Sequence, residues 1–116
     1  MYNQPARGIR KSSAVITVAA GATPEVLYQL TNRGTVTRTV ILRKIMCYSA
    51  VGNCILRIGT GLAPLVPIIP FFVAINGVDT EWTEKDIPEV EVSADLTVQS
   101  NVLGVQVQVE VEEIGA

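Results

Sequence analysis

One stretch near the C-terminus decides the fold class: Val105-Gln106-Val107-Gln108-Val109-Glu110-Val111-Glu112. Valine and polar side chains alternate along it without a break. Successive side chains of a β-strand point to opposite sides of the sheet, so this period of two predicts a strand with one buried and one solvated face. Such one-sided burial is typical of antiparallel sheets. The stretch therefore predicts an antiparallel sheet that covers a core with one face.

The same signal recurs through the rest of the chain. Residues 89–99 alternate in one continuous run, which predicts a single strand with an acidic or polar solvent face. Residues 39–48 and 54–58 are rich in β-branched and apolar side chains and are separated by a short turn, which predicts a hairpin. Asn76-Gly77 is a turn dipeptide that ends a further strand over residues 71–75. We therefore expect an all-β fold, a single antiparallel β-sandwich of the jelly-roll type with seven to eight strands.

The length and the N-terminal sequence indicate how the chain is organised. A chain of 116 residues has room for one domain. Residues 1–12 have no periodic apolar pattern and are interpreted as a flexible arm, and residues 13–116 as the sandwich domain. The first residues lack the apolar core of a secretory signal, so we expect synthesis in the cytoplasm without export by that route. The apolar run over residues 62–75 is too short and proline-rich for a membrane helix, and no membrane partner is expected.

The formal net charge of −2 hides a strong asymmetry. Eight of the nine basic residues lie at or before Arg57, and ten of the eleven acidic residues lie at or after Asp79. Two arrangements follow from this order. The halves could form opposite charged faces that attract neighbouring copies or another partner, or strands from both halves could interleave and mix the charges.

Several kinds of chemistry lack their usual residues. The chain contains no histidine, which is the commonest general base and metal ligand, and no nucleotide-binding loop. We therefore predict a protein that is not an enzyme and has no cofactor, metal or nucleic-acid partner. In the predicted hairpin Ser49 lies opposite Cys54, so Cys47 and Cys54 are expected to be two buried thiols. A disulfide between them is the alternative.

One acidic segment and the single tryptophan leave functional alternatives open. The segment over residues 79–91 could form a calcium site or a glycosidase carboxylate pair, although a solvated acidic face is the favoured interpretation. Its acidic residues are Asp79, Glu81, Glu84, Asp86, Glu89 and Glu91. Trp82 is expected to anchor this loop to the sandwich, and the alternative is a stacking platform for a carbohydrate.

A proline-spaced segment is the second candidate for contact with a partner. Residues 62–72 place a proline at every third position, at Pro64, Pro67 and Pro70, which excludes a helix and predicts an extended, polyproline-like or edge conformation. Such an apolar segment must be covered, either by the sandwich itself or by another subunit. With the basic arm, it supplies the predicted contact residues Arg7, Arg10, Lys11, Leu65, Val66, Ile68, Ile69, Phe71 and Phe72.

Four consecutive segments resemble a known class of proteins. They are Val15-Ile16-Thr17-Val18-Ala19-Ala20-Gly21, Val26-Leu27-Tyr28-Gln29-Leu30-Thr31, residues 39–53 with Leu42-Arg43-Lys44-Ile45, and Cys54-Ile55-Leu56-Arg57-Ile58-Gly59-Thr60-Gly61. Over residues 13–61 the chain is similar to small β-sandwich virion proteins of tailed bacteriophages, including capsid decoration and head-fibre base domains. The resemblance implies a jelly roll or related sandwich without catalytic residues.

The function predicted from the resemblance is structural. It implies assembly as a dimer or trimer and attachment to a major capsid protein or other virion proteins, with the virion as the final location. A carbohydrate-binding sandwich and a small β-sandwich enzyme that uses the acidic segment are the alternatives.

Overall fold

The structure, a computed structural model, describes residues 8–18, 23–30, 38–62 and 64–115. Within these ranges the regular secondary structure consists of β-strands. The strands are β1 (Ile9–Ser12), β2 (Ile16–Thr17), β3 (Glu25–Tyr28), β4 (Arg38–Tyr48), β5 (Cys54–Thr60), β6 (Val66–Ala74), β7 (Thr80–Trp82), β8 (Glu91–Val92), β9 (Leu96–Ser100) and β10 (Gln106–Gly115).

The strands form two antiparallel sheets. Sheet A has the order β1-β10-β4-β7, with β2 also paired to β10 and β8 also paired to β4. Sheet B has the order β3-β9-β5-β6. Because β1 and β2 share one edge of sheet A and β7 and β8 share the other, each sheet has four strand positions. The chain crosses repeatedly between the sheets, which is the arrangement of an eight-stranded jelly roll and confirms the predicted fold class.

The inner faces of the two sheets enclose one core. Val105, Val107, Val109 and Val111 are all fully buried, which confirms the burial predicted from the C-terminal alternation. A contact between aromatic rings joins the sheets, since Phe72 of β6 lies with its ring centroid 5.0 Å from that of Trp82 on β7. The tilted geometry of this pair is a favourable one for aromatic rings.

The predicted hairpin between residues 39–48 and 54–58 is wrong. β4 belongs to sheet A and β5 to sheet B, so the short turn between them crosses the sandwich. The physical reason is the partner available to β4: β10 pairs with it along its whole length, from Gln106 opposite Tyr48 to Gly115 opposite Arg38. β5 instead lies between β9 and β6 in sheet B.

The single strand predicted over residues 89–99 is also wrong. It is divided into β8 in sheet A and β9 in sheet B, with a bend at residues 93–95. Asp95 holds this corner, since its Oδ1 accepts the N–H of Leu30 at 2.8 Å. Apolar and polar residues alternate in the sequence without a break across the bend, so the sequence pattern alone does not reveal that the chain changes sheets.

Part of the flexible arm predicted over residues 1–12 is a β-strand in the structure. Ile9–Ser12 form β1, which pairs with β10 from Ile9 opposite Glu113 to Ser12 opposite Glu110. Main-chain hydrogen bonding continues to Ser13, whose N–H donates to the carbonyl oxygen of Val109 at 2.9 Å. Residues 1–7 of the predicted arm lie outside the described residues, and for them the arm stays a prediction.

Candidate assembly surface

The charged residues of the two halves meet on sheet A, where β4 and β10 pair directly. Arg43 of β4 lies opposite no residue of β10, because the register shifts there. Its guanidinium binds Glu112 at 2.6 Å and Glu89 at 2.7 Å. Lys44 lies 3.5 Å from Glu81 and 3.9 Å from Glu110. Basic residues from the first half are thus paired with acidic residues from the second, and of the two arrangements open from the sequence the interleaved one is confirmed.

A second polar cluster lies at the rim of the core around Glu113. Its carboxylate accepts hydrogen bonds from Arg38 at 2.7 Å and from the hydroxyl of Tyr28, and lies 3.5 Å from Lys11. Burial raises the pKa of Glu113, but the hydrogen bonds from Tyr28 and Arg38 and the charge of Lys11 outweigh burial and hold its pKa below the usual range. Burial and the hydrogen bond to Glu113 raise the pKa of Tyr28. This cluster ties β10 to β1, β3 and β4.

The acidic segment over residues 79–91 is largely occupied by contacts within the chain. Glu84 pairs with Arg10, and Glu91 accepts a hydrogen bond from the hydroxyl of Thr39. Asp86 accepts the N–H of Thr83 at 3.0 Å and stabilises the turn after β7. Glu81 and Glu89 contact Lys44 and Arg43, as described above. Among the described residues no cluster of three or more potential ligands could hold a metal ion.

A shallow depression of about 350 Å³ lies beside this segment, between β4, β7 and β10. It is lined on one side by Asp79 and Glu81 and on the other by Tyr48 and Gln106. Of these four residues, Glu81 has a charged partner, Lys44 at 3.5 Å, and its side chain is half exposed. The depression therefore offers two carboxylates without a third ligand or a neighbouring base, and we assign it no chemistry.

The two cysteines face each other across the core. Cys47 lies on β4 in sheet A and Cys54 on β5 in sheet B, and both are buried free thiols. Burial, with smaller contributions from the neighbouring Cys54, raises the pKa of Cys47 to about 12. Burial also raises the pKa of Cys54. Both thiols are therefore protonated at neutral pH, as the sequence predicts for small core residues.

The outer face of sheet B carries a group of exposed apolar side chains at one edge. Ile55 and Val73 are direct partners in the β5–β6 ladder and lie on the same face. The alternation along β6 and beyond it places Phe71 and Ile75 on this face as well, opposite the buried Phe72. The exposed fractions are 65% for Phe71, 51% for Val73, 50% for Ile75 and 38% for Ile55. We call this group of four residues the apolar edge face.

The proline-spaced segment lies mainly in β6, at the edge of sheet B, as the spacing predicts. The structure divides its predicted contact residues between the core and the surface. Leu65, Ile69 and Phe72 are buried, whereas Val66 and Phe71 are exposed and Ile68 is half-buried. The surface part of the segment is thus smaller than the sequence suggests.

The predicted basic contacts are placed differently. Arg10 and Lys11 lie on β1 and form ion pairs with Glu84 and Glu113, so their charges are engaged within the chain. Arg7 lies outside the described residues. Exposed apolar residues that the sequence reasoning did not single out are Ile55, Val73 and Ile75. Their signal was the period of two over residues 71–75, which pairs each buried side chain with an exposed apolar one.

Trp82 lies on the core side of β7, where it pairs with Ile45 and contacts Phe72. It is half-buried, and this position is consistent with its predicted role as an anchor for the acidic segment. Within the described ranges, no helix is long and apolar enough to cross a membrane.

Comparison with known proteins yields matches in structure alone. No protein-family model and no curated protein matches the chain. The chain is similar to one from Bacillus endospore appendages, described as a family of disulfide-linked pili, with a TM-score of 0.49 and 11% identity over 98% of this chain and 96% of that one. It is also similar to a chain of infectious bursal disease virus strain Gx, with a TM-score of 0.35 and 11% identity over 96% of this chain. This chain spans only 40% of the viral one, and neither likeness assigns a function.

Proposed function

We propose that this chain is a non-catalytic structural protein that assembles with copies of itself and attaches to a larger protein lattice. The observation that carries the proposal is the apolar edge face. Phe71, Val73 and Ile75 are each at least half exposed and lie together beside the open edge of sheet B. Contiguous apolar surface of this kind is characteristic of sites that are covered by another protein.

The distribution of charge supports a structural role. Three carboxylates of the acidic segment, those of Glu81, Glu84 and Glu89, are engaged by Lys44, Arg10 and Arg43 in ion pairs that tie strands and loops together. A general acid or base needs a carboxyl group that is free to exchange a proton with a substrate. The side chains of the acidic segment serve instead to hold the segment on sheet A.

The lattice that we propose is that of a virion. Residues 13–61 resemble small sandwich proteins of tailed bacteriophages, and a jelly roll with an uncovered apolar edge suits a capsid decoration protein or a minor head or tail component. The major capsid protein or another virion protein is then the partner, and residues 1–7 are the proposed docking arm, since they precede β1 and carry Arg7.

Electron microscopy of the native assembly tests this proposal. An antibody raised against the purified chain is used to isolate the particle that contains it, and the particle is reconstructed. The expected result is density for a sandwich of two four-stranded sheets at regularly repeated sites on a protein lattice. A chain that is recovered only as a free protein, with no particle, contradicts the proposal.

Deleting residues 1–7 tests the docking arm. The deletion is expected to weaken binding to the particle about tenfold, which corresponds to a loss of roughly 1.4 kcal/mol in binding free energy, and so to lower the number of copies bound at a subsaturating concentration. The circular dichroism spectrum is expected to remain unchanged, since β1 begins at Ile9. The control replaces residues 1–7 by a glycine-serine segment of equal length. Unchanged occupancy of the deletion variant would rule out the arm.

A further inference from the structure

We propose that two copies of this chain pair through the open edge of β6, in antiparallel orientation, with a two-fold axis beside Val73. The inference rests on the proposed self-assembly and names the contact that produces it. Sheet B of one copy then continues into sheet B of the second copy. The contact is made by the part of β6 that follows Pro70, together with the apolar edge face.

The first argument is the direction of the main-chain groups at Val73. Ile55 donates its N–H to the Oδ1 of Asn101 at 2.8 Å, and its carbonyl oxygen accepts the N–H of Asn101 at 3.3 Å. Both groups of Ile55 therefore point towards the β9 side of β5. Ile55 therefore forms a non-hydrogen-bonded pair with its partner on β6, and in such a pair each residue directs its N–H and carbonyl away from the other strand. Val73, the partner of Ile55, thus directs its own N–H and carbonyl away from β5.

No described strand lies on that side of β6, because β6 is the last strand in the order of sheet B. The N–H and carbonyl of Val73 are available to another chain. A row of such groups at a sheet edge is a template for pairing with a further strand. The prolines limit the usable length, since Pro67 and Pro70 have no N–H to donate. The residues that remain are Phe71 to Ala74.

The second argument is the absence of charge from β6. Natural proteins protect edge strands from unwanted pairing with charged side chains. The other three edges of the described sheets follow this rule: β1 carries Arg10 and Lys11 on the edge that it shares with the two-residue β2, β3 carries Glu25, and β7 and β8 carry Glu81 and Glu91. β6 carries no charged residue. Pairing of β6 with itself therefore brings no like charges together, whereas self-pairing of each other edge would.

The third argument is the complementarity of the side chains under two-fold symmetry. With the axis beside Val73, this residue lies opposite Val73 of the second copy, and Phe71 lies opposite Ile75. All these side chains project from the outer face, where they are exposed in the single chain. Aromatic and β-branched residues are favourable cross-strand partners. Because a two-fold contact uses the same surface on both copies, it closes at a dimer.

The central test compares two lysine substitutions in the full-length protein. Val73→Lys adds a charge at the proposed axis, so that two like charges would meet there. Val66→Lys is the matched control, because Val66 lies on the same strand, is 62% exposed, and precedes both prolines. Sedimentation equilibrium is measured over a range of protein concentrations. We expect wild type and Val66→Lys to have twice the chain mass of 12.5 kDa and Val73→Lys to dissociate at least tenfold more readily.

A cross-linking experiment tests the register. Two Val73 residues paired by hydrogen bonds would have Cα atoms about 5.5 Å apart, within the range that a disulfide spans. Val73→Cys is therefore expected to give a disulfide-linked dimer on mild oxidation, and Val66→Cys is expected to give little. The native Cys47 and Cys54 are buried and are present in both variants, so any cross-linking through them is the same in the two experiments.

The outcomes separate this inference from the proposed function. A wild-type protein that is monomeric at micromolar concentration overturns both self-assembly and the β6 contact. A wild-type oligomer that Val73→Lys leaves intact overturns the β6 contact alone, and so does equal cross-linking of the two cysteine variants. Circular dichroism of each variant must match that of wild type. If Val73→Lys fails to fold, the cross-linking result decides.

Discussion

At the scale of single residues, Glu113 is a carboxylate that is buried at the rim of the core. It is 4% exposed, yet Tyr28, Arg38 and Lys11 surround it with hydrogen-bond donors and positive charge. A buried charge is tolerated in a protein only where it is paired in this way. Glu113 could have been found from the sequence, because the period of two that buries Val109 and Val111 also places residue 113 on the buried face.

Replacing Glu113 by glutamine is expected to lower the free energy of unfolding at pH 7 by about 1–3 kcal/mol, because the partners lose their charged acceptor. Since the pKa of Glu113 is lowered in the folded state, its contribution is present above the pKa of the unfolded chain, about 4.3 for glutamate, and is lost as the pH falls through the lower folded value. Urea denaturation between neutral and acidic pH measures this.

Two comparisons make the test of Glu113 specific. The difference in stability between wild type and Glu113→Gln should shrink as the pH falls below about 4.3. Glu81→Gln is the control, because the Glu81 side chain is half exposed and lies 3.5 Å from Lys44, and it should change stability by less than about 1 kcal/mol. A stability difference for Glu113→Gln that stays constant over the whole range would contradict the role assigned to the charge.

At the scale of elements, the bulge in β4 explains a feature that the sequence left unresolved. Residues 39–48 are apolar on both faces in the sequence, which does not show which side chains point to the core. The register shift beside Arg43 reverses the alternation, so that Val40 and Leu42 face the core before it and Ile45 and Cys47 after it. The extra residue turns Arg43 towards Glu112 and Glu89. Bulges commonly redirect a side chain in this manner.

The β5–β6 hairpin depends on a glycine where the two strands approach closely. A Cβ atom at Gly59 would lie 1.9 Å from the carbonyl oxygen of Val66, so the main chain of one strand would have to move. We expect Gly59→Ala to lower the free energy of unfolding by about 3 kcal/mol, at the upper end of the usual cost of overpacking. Thermal and urea denaturation measure the change.

Gly77→Ala is the matched control for Gly59→Ala. Gly77 has a positive φ of 77°, but a Cβ atom there would meet nothing within 4 Å. Its expected cost is about 1 kcal/mol, from the left-handed conformation alone. Equal losses of unfolding free energy for the two substitutions would show that the structure accommodates a Cβ atom at Gly59 without the expected steric cost.

At the scale of the whole molecule, Phe72 joins the two sheets and Phe71 points away from them. Phe72 is fully buried and contacts Trp82, whereas its neighbour Phe71 is 65% exposed. Phe72→Ala is expected to lower the free energy of unfolding by about 3–5 kcal/mol through lost burial and a cavity. Phe71→Ala should stay within about 0.5 kcal/mol at a concentration where the chain is monomeric. Urea denaturation of both variants in parallel makes the comparison, and equal losses would contradict the assigned faces.

The charge asymmetry of the sequence also acquires its meaning at this scale. Arg38, Arg43 and Lys44 lie on β4, and their acidic partners Glu110, Glu112 and Glu113 lie on β10, which is the neighbouring strand. The separation of charge along the chain is therefore a consequence of pairing an early strand with the last one. These ion pairs join segments that are distant in the sequence. The edge strand β6, in contrast, carries no charged residue.

The sequence by itself determined the fold class and the faces of most strands, because alternation between apolar and polar residues is a local property that each strand carries within it. Val105 to Val111 were assigned to the core correctly for this reason. It also limited the proline-spaced segment to an extended, polyproline-like or edge conformation, since proline has no N–H to donate to a central ladder.

Only the tertiary structure decided which strands are neighbours. The turn between β4 and β5 looks like a hairpin turn locally, but the choice between a hairpin and a crossing depends on the competition of β10 for β4, more than fifty residues away. The same long-range pairing placed the charges opposite one another, brought Cys47 to face Cys54, and buried Phe72 while it exposed Phe71. Pairing partners are a property of the whole chain, because each strand satisfies its hydrogen bonds and its apolar face with whichever partner the complete sandwich offers.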